Sequence, residues 1–119
     1  DTYNGGEERM RAAGVGYGGD KAIFAFGANY SNPVLNSTYL VSNTGIPSSG
    51  QSNIGTARYG VAAAAYGTDK AIFGYGKIVS TTTFVSMTNL VSNTGTVATD
   101  TTGVGTVRER LAAAGYSTT

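Results

Sequence analysis

Short apolar runs of five or six residues alternate along the chain with clusters of Gly, Ser, Thr and Asn. Runs of this length, bounded by turn-forming residues, are typical of short β-strands joined by tight turns. The pattern predicts a first type of strand, a, which is rich in Ala and Gly, at Ala12–Tyr17, Val61–Tyr66 and Leu111–Tyr116. A second type, b, carries Ile and Phe and is predicted at Lys21–Phe26 and Lys70–Tyr75.

Two further strand types complete the predicted pattern. Type c is predicted at Thr38–Ser42 and Thr88–Ser92, each followed by an Asn-Thr-Gly turn. Type d has the weakest pattern and is placed at Ser52–Ala57 and Gly103–Val107. A helix over Ala62–Ala65 is the competing interpretation of the second a segment. We favour a strand, because glycines bracket that segment and so short a run cannot offset the cost of helix nucleation.

The chain repeats itself with a period close to 50 residues. The segment Tyr17–Phe24 recurs as Tyr66–Phe73 at an offset of 49, and Leu40–Gly45 recurs as Leu90–Gly95 at an offset of 50. Aligned at an offset of 99, the end of the chain is in the same phase as its beginning. The repeats divide the chain into a first unit (1–49), a second unit (50–99) and the start of a third (100–119).

The one-residue difference between the two offsets falls between strands b and c. The segment 28–38 of the first unit corresponds there to the segment 77–88 of the second. We therefore predict that this segment is a loop that tolerates changes of length.

The size of the repeat indicates a particular all-β architecture. Four short strands with their turns fill about 50 residues, the size of one β-propeller blade. Small side chains in strand a suit the crowded centre of a propeller, and the larger side chains of strand b suit a blade that widens outward. We predict tandem four-stranded antiparallel blades, two complete and a third begun. A β-solenoid or a fibre of stacked strands is the alternative, although solenoid coils are usually shorter.

The second unit resembles a kelch repeat. It begins near Arg58, continues through Val61–Tyr66 and the turn 67–69, and then contains Ala71–Gly76 and Leu90–Gly95. The resemblance covers essentially the whole chain twice, although the double glycine and the outer-strand Trp of that family are absent. It implies a kelch-like β-propeller. The same segments are also similar to near-identical repeat arrays in phage and environmental sequences.

Composition argues against enzymatic chemistry. The chain has no Cys, no His and no Trp, which excludes disulfides, thiol nucleophiles, His bases and most zinc, copper and iron sites. A glycosidase needs two carboxylates facing one sugar bond, whereas the recurring Asp20 and Asp69 would lie on different blades. We therefore predict a protein that is not an enzyme, with no cofactor and no metal.

Seven charged residues recur at equivalent positions of the repeat: Arg9, Arg58, Arg108, Asp20, Asp69, Lys21 and Lys70. The arginines are expected to donate hydrogen bonds to backbone carbonyls between neighbouring blades. The alternative is a ring of guanidinium groups that binds anionic sugars or carboxylates. The Asp-Lys pairs are expected at the tip of the a–b hairpin, where Asp and Gly supply the turn.

Charge and hydropathy restrict the partners. With a net charge of +1 and 13% charged residues, the chain has no basic patch for nucleic acid. No apolar run approaches the ~20 residues that a membrane-spanning helix needs, so no membrane insertion is expected. The expected partners are further copies of the same repeat, in a longer chain or an oligomer, and surface glycans.

These observations predict a non-catalytic structural or adhesive repeat module of an extracellular or virion appendage, similar to a phage tail fibre. A glycan-binding, lectin-like propeller that uses loop Asn and Tyr side chains is the alternative. An intracellular kelch scaffold is disfavoured, because such domains usually carry more charge and some Cys.

A propeller needs roughly four to eight blades, and two blades leave both end strands exposed. Because residues 100–119 repeat the phase of residues 1–20, the two segments would compete for one strand position in a ring of such chains. We therefore expect the chain to be part of a longer array, with further repeats on at least one side. Strand Leu111–Tyr116 should then lie beside the second blade.

Overall fold

The computed structural model describes residues 8–31, 34–78 and 83–116, which form antiparallel sheets and no helix. Within these residues there are nine strands: β1 (Ala13–Tyr17), β2 (Lys21–Ala25), β3 (Thr38–Val41), β4 (Pro47–Ser49), β5 (Ala62–Tyr66), β6 (Lys70–Gly74), β7 (Lys77–Ile78), β8 (Thr83–Phe84) and β9 (Thr88–Val91). In the described part of the chain, nothing forms a helix with the length and apolarity needed to cross a membrane.

The two repeat units build equivalent sheets. The first is an antiparallel meander in the order β1-β2-β3-β4, and the second has the order β5-β6-β9. In the first sheet Ile23 lies opposite Leu40, and in the second the equivalent Ile72 lies opposite Leu90. The strands predicted as types a, b and c are confirmed in both units to within one or two residues at their ends. The Ala-rich segment of the second unit is a strand, not a helix.

The fourth strand begins earlier than predicted. In the first unit β4 follows directly after the turn, where the Ser42 amide donates to the Ile46 carbonyl at 3.0 Å. In the second unit only single bridges stand at this place, from Val97 to Val91 and from Thr101 to Thr88.

The predicted d strands at Ser52–Ala57 and Gly103–Val107 are therefore wrong. Asn53 has a φ of 57° and Gly55 a φ of 96°, and this left-handed backbone interrupts an extended strand. The segment leaves the sheet and places Ile54, which is 3% exposed, in the core.

The prediction of a strand at Leu111–Tyr116 is also wrong. Strands β1 and β5 each pair with the strand that follows them, and 111–116 have no such partner among the described residues. The segment nevertheless lies beside the second unit. The Arg110 amide donates to the Gly60 carbonyl at 2.8 Å, and a Cβ added to Gly115 would lie 2.5 Å from the Ala65 carbonyl oxygen.

The segment between strands b and c differs between the units. In the second unit it contains the two-residue strands β7 and β8, which pair with each other and were not predicted. Residues 32–33 and 79–82, in the middle of the two loops, lie outside the described residues.

The two sheets stack through opposite faces of the same repeated strand. In β2, Ile23 and Ala25 are fully buried and Phe24 is 46% exposed. In β6, whose sequence is nearly the same, Ala71 and Phe73 are the fully buried residues. Strand β1 lies against β5 and β6, so the Ile face of the first unit packs on the Phe face of the second. The two units therefore stack with the Ile face of one on the Phe face of the other, so two like faces do not meet.

Phe24 and Phe73 hold the same position in the repeat, but only Phe73 is buried. Phe73→Ala should lower the free energy of unfolding by about 3–5 kcal/mol because it removes a ring from the core. Phe24→Ala is the matched control and should lower it by less than about 1 kcal/mol. Urea unfolding followed by circular dichroism measures both changes. Equal losses would contradict the opposite-face stacking.

Candidate functional site

A fully buried arginine, Arg58, lies where the two sheets meet. Its Nε donates to the Tyr75 carbonyl at 2.8 Å and its Nη1 to the Thr56 carbonyl at 3.0 Å. Its Nη2 donates to the side-chain oxygen of Asn89 at 2.5 Å. The guanidinium carbon lies over the Phe26 ring of the first unit, 4.1 Å from its centroid. Arg58 thus joins the end of β6 in its own unit to an aromatic ring of the preceding unit.

Asn89 and Asp100 complete these surroundings, and we call Arg58, Thr56, Asn89 and Asp100 the Arg58 cluster. The buried Asn89 amide donates to Asp100 Oδ1 at 2.9 Å and to the Ala98 carbonyl at 3.2 Å. Asp100 Oδ2 accepts the Thr56 amide at 3.0 Å and the Thr56 hydroxyl at 2.7 Å. Asp100 Oδ1 lies 3.8 Å from Arg58 Nη1. A buried charge requires such partners, because an unpaired one is costly.

The cluster shifts two ionisation equilibria. Burial lowers the pKa of Arg58 to about 10, against the opposing effect of Asp100, so the guanidinium remains charged at neutral pH. Partial burial alone would raise the pKa of Asp100. Hydrogen bonds from Thr56 and Asn89, together with the charge of Arg58, outweigh burial and hold that pKa below its ordinary value of 3.8. The ion pair is therefore intact at neutral pH.

The other two recurring arginines, Arg9 and Arg108, each make some of the contacts that Arg58 makes. Arg9 Nη1 donates to the Phe26 carbonyl at 2.9 Å, as Arg58 Nε does to the equivalent carbonyl of Tyr75. Arg108 lies over the Tyr75 ring at 5.9 Å, as Arg58 lies over Phe26. The first residues of the third unit therefore contact the second unit in the way that the second contacts the first.

A glycine at the end of each b strand permits this approach. The Gly27 amide donates to the Arg58 carbonyl at 2.9 Å, and the Gly76 amide donates to the Arg108 carbonyl at 2.9 Å. The two glycines have φ of 103° and 110°, and an added Cβ would lie 2.7 and 2.8 Å from a backbone carbonyl oxygen. These oxygens are those of Met10 and Tyr59, so a side chain at either glycine would displace the segment that precedes strand a of the same unit.

The recurring Asp-Lys pairs lie at the tips of the β1–β2 and β5–β6 hairpins. Asp20 accepts Lys21 Nζ at 2.9 Å and the Asn43 side-chain amide at 3.0 Å. The same contacts recur in the second unit, at 3.1 and 3.0 Å, between Asp69, Lys70 and Asn93. The hairpin tip is thus tied to the Asn-Thr-Gly turn that follows strand c.

These contacts also set the charge state of the two carboxylates. Hydrogen bonds from Lys21 and Asn43 lower the pKa of Asp20, and those from Asn93 and Lys70 lower the pKa of Asp69. Both groups are ionised at neutral pH and both side chains hold turns together. The tips of neighbouring units meet where the Gly18 amide donates to the Asp69 carbonyl at 2.6 Å.

Sequence reasoning missed the partners of the buried arginine. Asn89 and Asp100 are positions at which the repeats differ: the first unit has Tyr39 and Gly50 there. Arg9 lies over the Tyr39 ring at 4.7 Å, so a stacked ring in one unit corresponds to a hydrogen-bonding amide in the other. Differences between otherwise similar repeats were the available signal.

The side chains of Asp20, Asp69 and Asp100 lie in different parts of the fold. Among the described residues, no three Asp, Glu, His or Cys side chains form a group that could hold a metal ion. The carboxylates of Asp20, Asp69 and Asp100 belong to three separate hydrogen-bonded structures.

The side chains of Arg9, Arg58 and Arg108 donate to carbonyls of their own unit and not, as predicted, between neighbouring units. Arg58 and Arg108 instead contact the preceding unit by stacking on a ring.

A surface cleft of 240 Å³ lies at the edge of the first unit. It is lined by Glu8, Arg9, Met10, Asn29 and Tyr30. Tyr30 is 92% exposed, so its ring is available to a ligand. The cleft combines an aromatic ring with amide and charged groups, which suits a polar ligand with an apolar face.

No protein-family model matches the sequence, and no curated protein matches it at a significant level. The described strands form antiparallel sheets but do not by themselves show a kelch repeat or a closed propeller. The resemblance to kelch repeats therefore stays a prediction.

Removing the guanidinium of Arg58 should destabilise the fold strongly. Arg58→Met leaves the Asp100 carboxylate and two carbonyls without their charged partner, and we expect a loss of about 3–5 kcal/mol in the free energy of unfolding. Arg108→Met is the control, because Arg108 is exposed, and should change it by less than about 1 kcal/mol. Urea unfolding measures both. An unchanged stability of Arg58→Met would show that the cluster does not support the fold.

Asp100 should contribute to the acid sensitivity of the protein. Because its pKa is lower in the folded state, its carboxylate stabilises the fold above the unfolded pKa, and this contribution is lost as the pH falls through the folded pKa. Asp100→Asn should therefore show a smaller loss of stability between about pH 5 and about pH 2 than the unmodified chain. Asp20 and Asp69 are retained and supply the remaining slope. Identical pH profiles from urea unfolding would contradict this role.

Proposed function

We propose that the chain is a non-catalytic structural or adhesive repeat module of an extracellular or virion appendage, similar to a phage tail fibre. Its units are proposed to be blades of a kelch-like β-propeller. The observation that carries the proposal is the recurring contact between units, in which Arg58 meets Phe26 and Arg108 meets Tyr75. A contact that recurs at each boundary is the property required of an array in which each unit binds its neighbours.

The use of the charged residues also supports a structural role. Arg58 is buried in the stack and lies near the partly exposed Asp100, and Asp20 and Asp69 hold the hairpin tips. Most of the remaining described surface carries Thr, Ser, Asn and Gly with few charges, as expected of a module that presents a neutral polar exterior. The small side chains of β1 and β5 agree with their proposed place near a propeller axis.

Antibody labelling tests the proposed location. An antibody against the chain, applied to intact cells or particles of its source, should bind without permeabilisation. An antibody against a known internal protein of the same source is the control and should bind only after lysis. Labelling that requires lysis would overturn the extracellular or virion-surface assignment.

Glycan binding is the second candidate function, and the exposed ring of Tyr30 in the 240 Å³ cleft favours it. Sugars present apolar faces that stack on aromatic rings and hydroxyls that bond to Asn and Arg. Asn29 and Arg9 of the first unit line the same cleft as that ring.

A glycan array separates the two functions. The structural proposal expects no reproducible binding by the unmodified chain. The glycan-binding alternative expects a defined sugar to bind, Tyr30→Ala to lose that sugar, and Tyr116→Ala to retain it. Tyr116 is the matched control because it is 90% exposed but lines a different cleft. Binding that Tyr30→Ala abolishes would replace the scaffold by the lectin-like function.

A further inference from the structure

Each end of the two-unit stack presents a sheet face. On the first sheet we call Gly14 and Phe24 the head face; they are opposite each other in the register, and Phe24 is 46% exposed. On the second sheet we call Ala64, Ile72 and Leu90 the tail face; they form one row across β5, β6 and β9, and Leu90 is 42% exposed. Both faces are apolar and in contact with solvent.

The two faces are the halves of an interface that the chain already makes once. Inside the stack, the row Val15, Ile23 and Leu40 of the first sheet packs on the second sheet. These residues are equivalent to the tail face. The surface that receives them contains Ala63 and Phe73, which are equivalent to the head face. The head face of one chain therefore matches the tail face of another by the repeat itself.

We infer that a second copy of this chain docks head to tail, with the head face of one copy on the tail face of the next. The inference rests on the proposed function, since it extends the stacking of units from one chain to two. The interface is heterologous, so association does not stop at a dimer unless the rotation between copies closes a ring. A neutral surface with few charges places no strong repulsion between copies.

The segment 108–116 competes with this docking. It holds the place beside β5 that the β1 strand of a second copy would take, as the Gly60 and Ala65 contacts of Arg110 and Gly115 show. Residues 112–116 are exposed and pair with no strand in the described chain, so their displacement breaks few contacts. Gly115→Val should push the segment off β5, because its Cβ would meet the Ala65 carbonyl oxygen at 2.5 Å.

Sedimentation velocity on the full chain, from about 1 to about 500 μM, tests the inference. The unmodified chain should form species larger than a dimer as its concentration rises, and Gly115→Val should shift them to lower concentration. Phe24→Lys places a charge on the head face and Leu90→Lys places one on the tail face, so each variant alone should remain monomeric. Mixed at equal amounts they should form a dimer and nothing larger. Ile46→Lys is the control: Ile46 is 65% exposed outside both faces, and its association should equal that of the unmodified chain.

Three results would overturn the inference: a monomer at all concentrations for both the unmodified chain and Gly115→Val, self-association of Phe24→Lys or Leu90→Lys alone, or a mixture that stays monomeric. Circular dichroism confirms that each variant is folded, and Phe24→Ser and Leu90→Ser replace any lysine variant that is not. Failure here leaves the antibody labelling unaffected, so it is distinguishable from failure of the proposed function.

Discussion

The structure depends on one buried positive charge. A guanidinium taken out of water is costly, and Arg58 is tolerated because three of its nitrogens donate hydrogen bonds, Asp100 lies nearby, and the Phe26 ring covers one side. The hydrogen-bonding partners and Asp100 belong to the second unit or follow it directly, whereas the ring that covers the guanidinium comes from the first unit. The stacking of Arg58 on Phe26 joins the two units at this point, while the burial of apolar rows supplies most of the favourable free energy.

The stacking in turn explains why the b strand is apolar on both sides. An isolated sheet exposed on one face would alternate apolar and polar residues, whereas Lys70–Gly74 carries Ala and Phe on one face and Ile on the other. The Phe face is buried against the first unit, and the Ile face is directed toward the next. Phe24 and Phe73 hold the same position in the repeat. Phe24 is exposed because it lies on an outer face of the stack, and Phe73 is buried because it lies between the two sheets.

The chemistry of the molecule is consistent with this role. Acidic and basic residues that recur in the repeat bind turns, strand ends and neighbouring units, and the lowered pKa values of Asp20 and Asp69 arise from such contacts. What remains for recognition is the polar exterior and a cleft with an exposed Tyr30. A fold of this kind can present loops to a partner without altering the contacts that hold the stack together.

Local signals in the sequence determined the all-β class, the repeat and strands a, b and c, because each depends on short apolar runs and on turns such as Asn43–Gly45 that act within a few residues. The absence of a strand at Ser52–Ala57 depends on the left-handed backbone at Asn53 and Gly55, which sequence pattern does not specify. The partners of Arg58 lie 31 and 42 positions away, at Asn89 and Asp100, and come together only when the second sheet and its bridge from Thr88 to Thr101 have formed. Tertiary structure alone decided which face of the repeated Ala-Ile-Phe strand is buried, because both faces are apolar and only the neighbouring unit distinguishes them.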